Sequence, residues 1–98
     1  MSKVIFSVSY VVKEEYRDDY FIIAKELKNL IKADGLLYYD IYEEKMRNHF
    51  REFYEFANDE AFENYDDSNE LVAILNEKLS QLIEEKTLAY KTYKPIFE

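Results

Sequence analysis

The chain has 98 residues and a formal net charge of −8, and 17% of it is aromatic, with Tyr 10 and Phe 7. That length makes one small domain, which buries only part of its unfolded surface, and the acidic balance argues against nucleic acid or an anionic membrane as partners. With no cysteine and a single glycine, disulfides, thiolate metal sites, a cysteine nucleophile and a glycine-rich phosphate loop are excluded.

Lys3 to Lys13 is a β-rich run in which Val4, Phe6, Val8 and Tyr10 share one face and Ile5, Ser7, Ser9 and Val11 the other. The apolar face predicts a covering of helices; the serine-bearing face predicts something wetter. From Glu15 to Ala33 the period becomes helical, with Tyr16, Tyr20, Ile23, Leu27, Leu30 and Ile31 in a stripe. Acidic residues at its start suit the helix dipole, and Gly35 stands where a left-handed C-terminal cap is expected.

Leu36 to Glu44 reads as a second strand, with Leu37, Tyr39 and Ile41 alternating against Leu36, Tyr38, Asp40 and Tyr42. The polar segment from Glu44 to Asn48 then serves as a hairpin connection. A third strand runs from His49 to Ala57, and Asn58 or Asp59 caps a short helix reaching Asp67. Asp67-Ser68-Asn69-Glu70 resembles a capping box for a longer helix with the stripe Leu71, Ile74, Leu75, Leu79, Leu82 and Ile83. The last strand, Thr87 to Lys94, is followed by Pro95 and an apolar tail, Ile96-Phe97-Glu98.

The order β-α-β-β-α-β predicts an α+β fold of ferredoxin-like type over residues 1–98: a four-stranded antiparallel sheet, helices on one face, the first and third strands central. The other face is left bare. An aromatic surface of that kind favours a homodimer closed sheet on sheet, with the tail after Pro95 as a clasp. The N-terminus has no basic stretch leading into a long apolar run and no segment approaches a transmembrane span, which predicts a cytoplasmic protein.

Three stretches resemble the antibiotic biosynthesis monooxygenase family of the dimeric α+β barrel superfamily. Val12-Lys13-Glu14 is similar to the family's opening strand running into a turn. Asp34 through Tyr42 resembles its Pro-Gly-x-x-x-Tyr-x-Leu strand, and Phe50 through Phe62, ending in Asp59-Glu60-Ala61-Phe62, its aromatic strand entering a helix. The sequence departs from the family at Phe56, where a tryptophan is usual, at Tyr54, where an acid is frequent, and at about Tyr65, where a histidine is common. The haem-degrading branch uses a first-strand asparagine, that tryptophan and the histidine; Ser7 and Phe56 stand in the first two places and no matching histidine exists. The resemblance therefore implies the cofactor-independent branch, which oxygenates phenolic or quinol-like compounds in an apolar cavity, expected between sheet and helices.

It also implies that Ser7, Ser9, Tyr38, Asp40, Glu52, Tyr54, Phe56 and Tyr65 lie around that cavity. Asp40 or Glu52 would be the base that deprotonates a substrate hydroxyl, and Tyr54 would act with them. Ser7, Ser9, Tyr38, Phe56 and Tyr65 would hold the substrate, with Tyr38 also placed to orient it or steady an oxyanion. Arg51 and Glu52 read equally well as ladder charges at a solvated sheet edge. Hydrophobicity alone would turn Phe50, Tyr54 and Phe56 toward the helices, whereas the resemblance turns them into the cavity. His49, the single histidine, lies at a strand start where a surface role is the commoner one, and no metal set accompanies it. Two functions follow: a small monooxygenase acting on an aromatic or carbonyl-containing compound without cofactor, or a non-enzymatic dimer of the same fold that binds such a ligand. A third, weaker reading is an interaction module whose acidic helices meet a basic partner.

Overall fold

The structure, a computed structural model, describes residues 2–66 and 69–97. Strand β1 (Val4–Val11) leads through a 3-10 turn (Glu14–Tyr16) into helix α1 (Arg17–Leu30). The hairpin of β2 (Leu36–Glu43) and β3 (His49–Phe56) follows, then the short α2 (Asp59–Glu63), α3 (Glu70–Ser80) and β4 (Ala89–Tyr93). The strands form one antiparallel sheet in the order β2-β3-β1-β4. This is the ferredoxin-like α+β fold, with β1 and β3 in the centre.

Directly paired residues share a face of the sheet. Val4, Phe6, Val8 and Tyr10 pair with Phe56, Tyr54, Glu52 and Phe50, and Tyr39 and Ile41 of β2 join them opposite Tyr54 and Glu52. Against this face lie Tyr20, Ile23 and Leu27 of α1 and Val72, Leu75 and Leu79 of α3, which together make the core. The other face carries Ile5, Ser7, Ser9 and Val11 opposite Glu55, Phe53, Arg51 and His49, flanked by Tyr38, Asp40 and Tyr42 and by Tyr93 and Lys91. No helix covers it.

Local chemistry moves several boundaries. Helix α1 ends at Leu30, five residues before the expected glycine cap, because Ile31 turns extended while its N–H still donates to Leu27 O. Gly35 instead makes the turn into β2 at φ +80, and its carbonyl accepts from Ala57 N at 2.8 Å. Simple alternation along β2 also fails: the register shifts between Leu36 and Tyr38, so Leu37 bulges outward and Leu36 joins the helix-facing side opposite Phe56. Asn58 caps α2 by accepting from Ala61 N at 2.8 Å.

Helix α3 is capped by Asn69, whose Oδ1 accepts from Leu71 N at 2.9 Å. Asp67 and Ser68 of the expected capping box lie outside the described residues. The buried stripe is Val72, Leu75 and Leu79, while Leu71 and Ile74 are 57% and 50% exposed. Two apolar stripes adjoin on this helix, and packing against the sheet selected the second. The last strand begins only at Ala89, because the Thr87 hydroxyl donates to Glu84 O and accepts from Val11 N in the turn before it.

Candidate functional site

A cavity of about 370 Å³ lies between the helix-covered sheet face and α3. Phe6, Val8 and Tyr10 of β1 and Glu52 and Tyr54 of β3 form the sheet side, and Tyr65, Asn76, Leu79 and Ile83 the helical side. Leu88 and Tyr90, half exposed or more, border it along the β4 edge. Phe6 stacks on Tyr90 at 5.9 Å between ring centroids and tilts against Tyr54 at 5.8 Å. Apolar and aromatic walls with a few convergent polar groups are the composition of a small-ligand pocket.

Glu52 supplies the charge. Among the described lining residues it is the only ionisable acid or base other than tyrosine, and it is 3% exposed. Oε2 accepts the Tyr10 hydroxyl at 2.7 Å; Oε1 accepts Tyr39 at 2.7 Å and, more loosely, Tyr54 at 3.4 Å. Tyr20 of α1 extends the array to Tyr10 at 2.8 Å. The sheet explains the convergence: Glu52 pairs with Val8 on one side and Ile41 on the other, so Tyr10 and Tyr39 are its diagonal neighbours. Burial, and next the Glu52 charge, push the Tyr10 and Tyr39 phenols far above their ordinary range. Burial does the same for Tyr20. All three stay protonated and act as donors.

The eight site residues expected from sequence divide between the two faces of the sheet. Glu52, Tyr54 and Tyr65 line the cavity, and Phe56 lies directly behind them, stacked on Tyr54 at 6.2 Å and edge-on to Tyr65 at 5.4 Å. Ser7, Ser9, Tyr38 and Asp40 stand on the bare face, with the sheet between them and the cavity. Ser7 is fully buried there and accepts from Arg51 Nη1 at 3.3 Å. The Asp40 carboxyl is held below its ordinary range, first by the Ile41 N–H and then by Lys28, and Tyr38 hydrogen-bonds to Tyr42 and Asp40. A carboxylate so held is a weak base. The serine-bearing face is therefore not the cavity wall. The conflict over β3 also dissolves, because the cavity lies on the helix side and the face that hydrophobicity buries is the face that lines it.

Arg51 does behave as a ladder charge, pairing with Glu44 at 3.2 Å, whereas Glu52 leaves the solvated edge altogether. Tyr10, Tyr20 and Tyr39 were not among the expected site residues. The signal that could have found them is strand pairing, which places tyrosines diagonally beside an acid. No group of three or more His, Asp or Glu able to hold a metal ion occurs among the described residues. No helix of the described residues is long and apolar enough to cross a membrane.

Fold and cavity define a ferredoxin-like α+β domain with a pocket between sheet and helices. The sequence matches no protein-family model and no curated protein, but several solved structures share its fold over nearly the whole chain. A conserved protein of unknown function from Bacteroides thetaiotaomicron, described as a possible oxidoreductase, is 22% identical with a TM-score of 0.76, covering 96% of this chain and 98% of its own. A candidate antibiotic biosynthesis monooxygenase from Deinococcus radiodurans is 18% identical, TM-score 0.75, with 94% and 91% covered. A dabb-family protein with a ferredoxin-like fold from Mesorhizobium loti is 18% identical, TM-score 0.69, with 98% and 99% covered. At these identities the likeness is one of fold.

Proposed function

We propose that the protein is a cofactor-independent monooxygenase of the antibiotic biosynthesis monooxygenase type, acting on a small phenolic or quinol-like compound in the cavity between sheet and helices. The observation that carries this reading is the buried carboxylate of Glu52 on an aromatic wall, already adapted to accept phenol hydroxyls at 2.7 Å. The long 3.4 Å contact with Tyr54, which also lines the cavity, is the one a ligand hydroxyl would shorten or replace. The Deinococcus protein, whose description names this activity, supports the reading through its shared fold.

Glu52 would take the hydroxyl proton, and charge would pass to the ring carbon para to it. That carbon, which must carry a hydrogen, bonds to dioxygen; as the O–O bond breaks it keeps one oxygen as the second quinone carbonyl, and the other oxygen leaves as water with the ring hydrogen and the proton held by Glu52. Dioxygen serves as both oxidant and oxygen source, so no further reductant enters the balance. Tyr54 would steady the developing phenolate. Oxygen uptake measured with a panel of phenols and quinols tests this: Glu52→Gln should lower turnover by about 100-fold or more while sparing binding.

A second reading, a non-enzymatic small-ligand binder, is favoured by Phe56 and Tyr65, which put an inert ring and a phenol where the resembled family carries tryptophan and histidine. Ligand binding by calorimetry with no oxygen uptake from any compound would establish it over the first. In both readings we propose a homodimer closed through the bare face, where Tyr38, Tyr42 and Tyr93 stand exposed around Phe53. Sedimentation should give a dimer that Phe53→Arg converts to monomer; a monomeric wild type would end that part of the proposal.

A further inference from the structure

The hydroxyl protons around Glu52 have a fixed direction. Tyr10 has one hydroxyl proton, and it goes to Glu52 Oε2 at 2.7 Å. At the 2.8 Å contact between Tyr10 and Tyr20, Tyr20 must therefore be the donor. Tyr39 donates to Oε1 from the other side. Protons thus run from α1, β1 and β2 inward to one carboxylate on β3. Among the described residues no buried side-chain polar atom lacks a partner, so the array is complete in this direction.

Reversing it is costly. Turning a Glu52 proton on Tyr10 or Tyr39 would displace the proton already there. If Tyr10 received it, the Tyr10 proton would turn to Tyr20, whose own proton would be stranded in the core at 0% exposure. Tyr54, which lines the cavity and holds Glu52 more loosely at 3.4 Å, is placed to turn its proton toward a ligand.

We infer that Tyr10, Tyr20 and Tyr39 are positioning residues, which hold Glu52 ionised and in one orientation and so make the cavity selective for a neutral hydroxyl-bearing ligand over a carboxylate. The inference rests on the reading of the cavity as a phenol site, but its first half concerns the empty protein. Among the described residues, the groups facing this carboxylate include Tyr10, Tyr39 and Tyr54, Tyr20 behind Tyr10, and Tyr65, Asn76 and Tyr90 across the cavity. Glu43 acts on Tyr20 from β2. Tyr20 does not line the cavity and hydrogen-bonds to Tyr10 rather than to the carboxylate, so it acts on Glu52 through Tyr10 and through a direct electrostatic interaction.

The test is a pH titration of the full chain by NMR of carbon-13-labelled glutamate carboxyls, with Glu52 assigned from the Glu52→Gln spectrum. Tyr10→Phe and Tyr39→Phe should each raise the Glu52 midpoint by about one pH unit, because a donor to the charged form is lost. Tyr20→Phe should raise it by less. Midpoints that stay put or fall, in variants whose circular dichroism is unchanged, would reduce these tyrosines to packing and overturn the inference. Calorimetry with p-cresol and benzoate then addresses the ligand: above the midpoint, wild type should bind p-cresol at least about tenfold more tightly, since a carboxylate would sit beside a like charge. Equal binding would refute the selectivity. Binding of neither, with the NMR shifts as expected, would remove the phenol-site reading and the selectivity, and leave the positioning roles standing.

Discussion

At the scale of single residues, the site depends on one acid in an aromatic strand. Alternation along His49–Phe56 puts Glu52 on the same side as Phe50, Tyr54 and Phe56, so folding buries a carboxylate that the sequence alone also allows as a surface ladder charge. Glu52 and Tyr54 were therefore legible as candidates. Their partners Tyr10 and Tyr39 were not, because a period of two fixes the face of each strand but not the register between strands. Phe56 is 1% exposed and packs against Tyr54, Phe62 and Tyr65. Removing its ring leaves a cavity behind the site, so Phe56→Ala should lower the free energy of unfolding in urea by about 3–5 kcal/mol. A loss below about 1 kcal/mol would mean that the neighbouring rings collapse into the space.

At the scale of elements, strand and helix order were readable throughout, and the failures are local. The β2 bulge moves Leu36 to the helix side, and α3 buries Val72 rather than Leu71. Each failure is a case where several local solutions are near in energy and contact with a distant segment decides. Gly35 is the clearest element-level constraint. It adopts φ +80, and a Cβ built on it would come within 2.5 Å of Ala61 Cβ on α2. Gly35→Ala should cost more than about 1 kcal/mol from backbone conformation alone, with the clash added. Adding Ala61→Gly should recover the steric part and leave the backbone part, which a double-mutant cycle in urea separates. At the start of α3, Asn69→Ala should cost about 1 kcal/mol, since Leu71 N would lose its acceptor.

At the scale of the whole molecule, an ion network ties the first turn of α1 to the β2–β3 hairpin. Arg17 grips Glu43 through both terminal nitrogens at 2.6 and 2.9 Å and reaches Asn48 Oδ1 at 2.7 Å, while Arg47 and Asn48 hold Glu14. Asn48, left-handed at φ 68, sits at the junction and also accepts from Val12 N. The Arg47 guanidinium, followed by Asn48, lowers the Glu14 carboxyl from 4.5 to about 2, and Arg17 with the Asn48 N–H does the same for Glu43. Both groups bind protons less readily folded than unfolded, so their stabilisation is complete above pH 4.5 and is lost as pH falls toward 2. Melting temperature should fall through that window. Arg17→Met should lower it at neutral pH and flatten the acid limb, and an unchanged acid limb would show that the pair is fully screened. The sequence by itself determined the element order, the ferredoxin-like architecture and the acid that merits attention, because periodicity and turn chemistry are local properties of the chain. Tertiary structure alone decided which face of β3 lines the cavity, that Ser7, Ser9, Tyr38 and Asp40 stand behind the sheet, and that tyrosines from β1, β2 and α1 meet at Glu52. Those outcomes depend on register and on which face the helices cover, which are fixed only when segments far apart in sequence pack together.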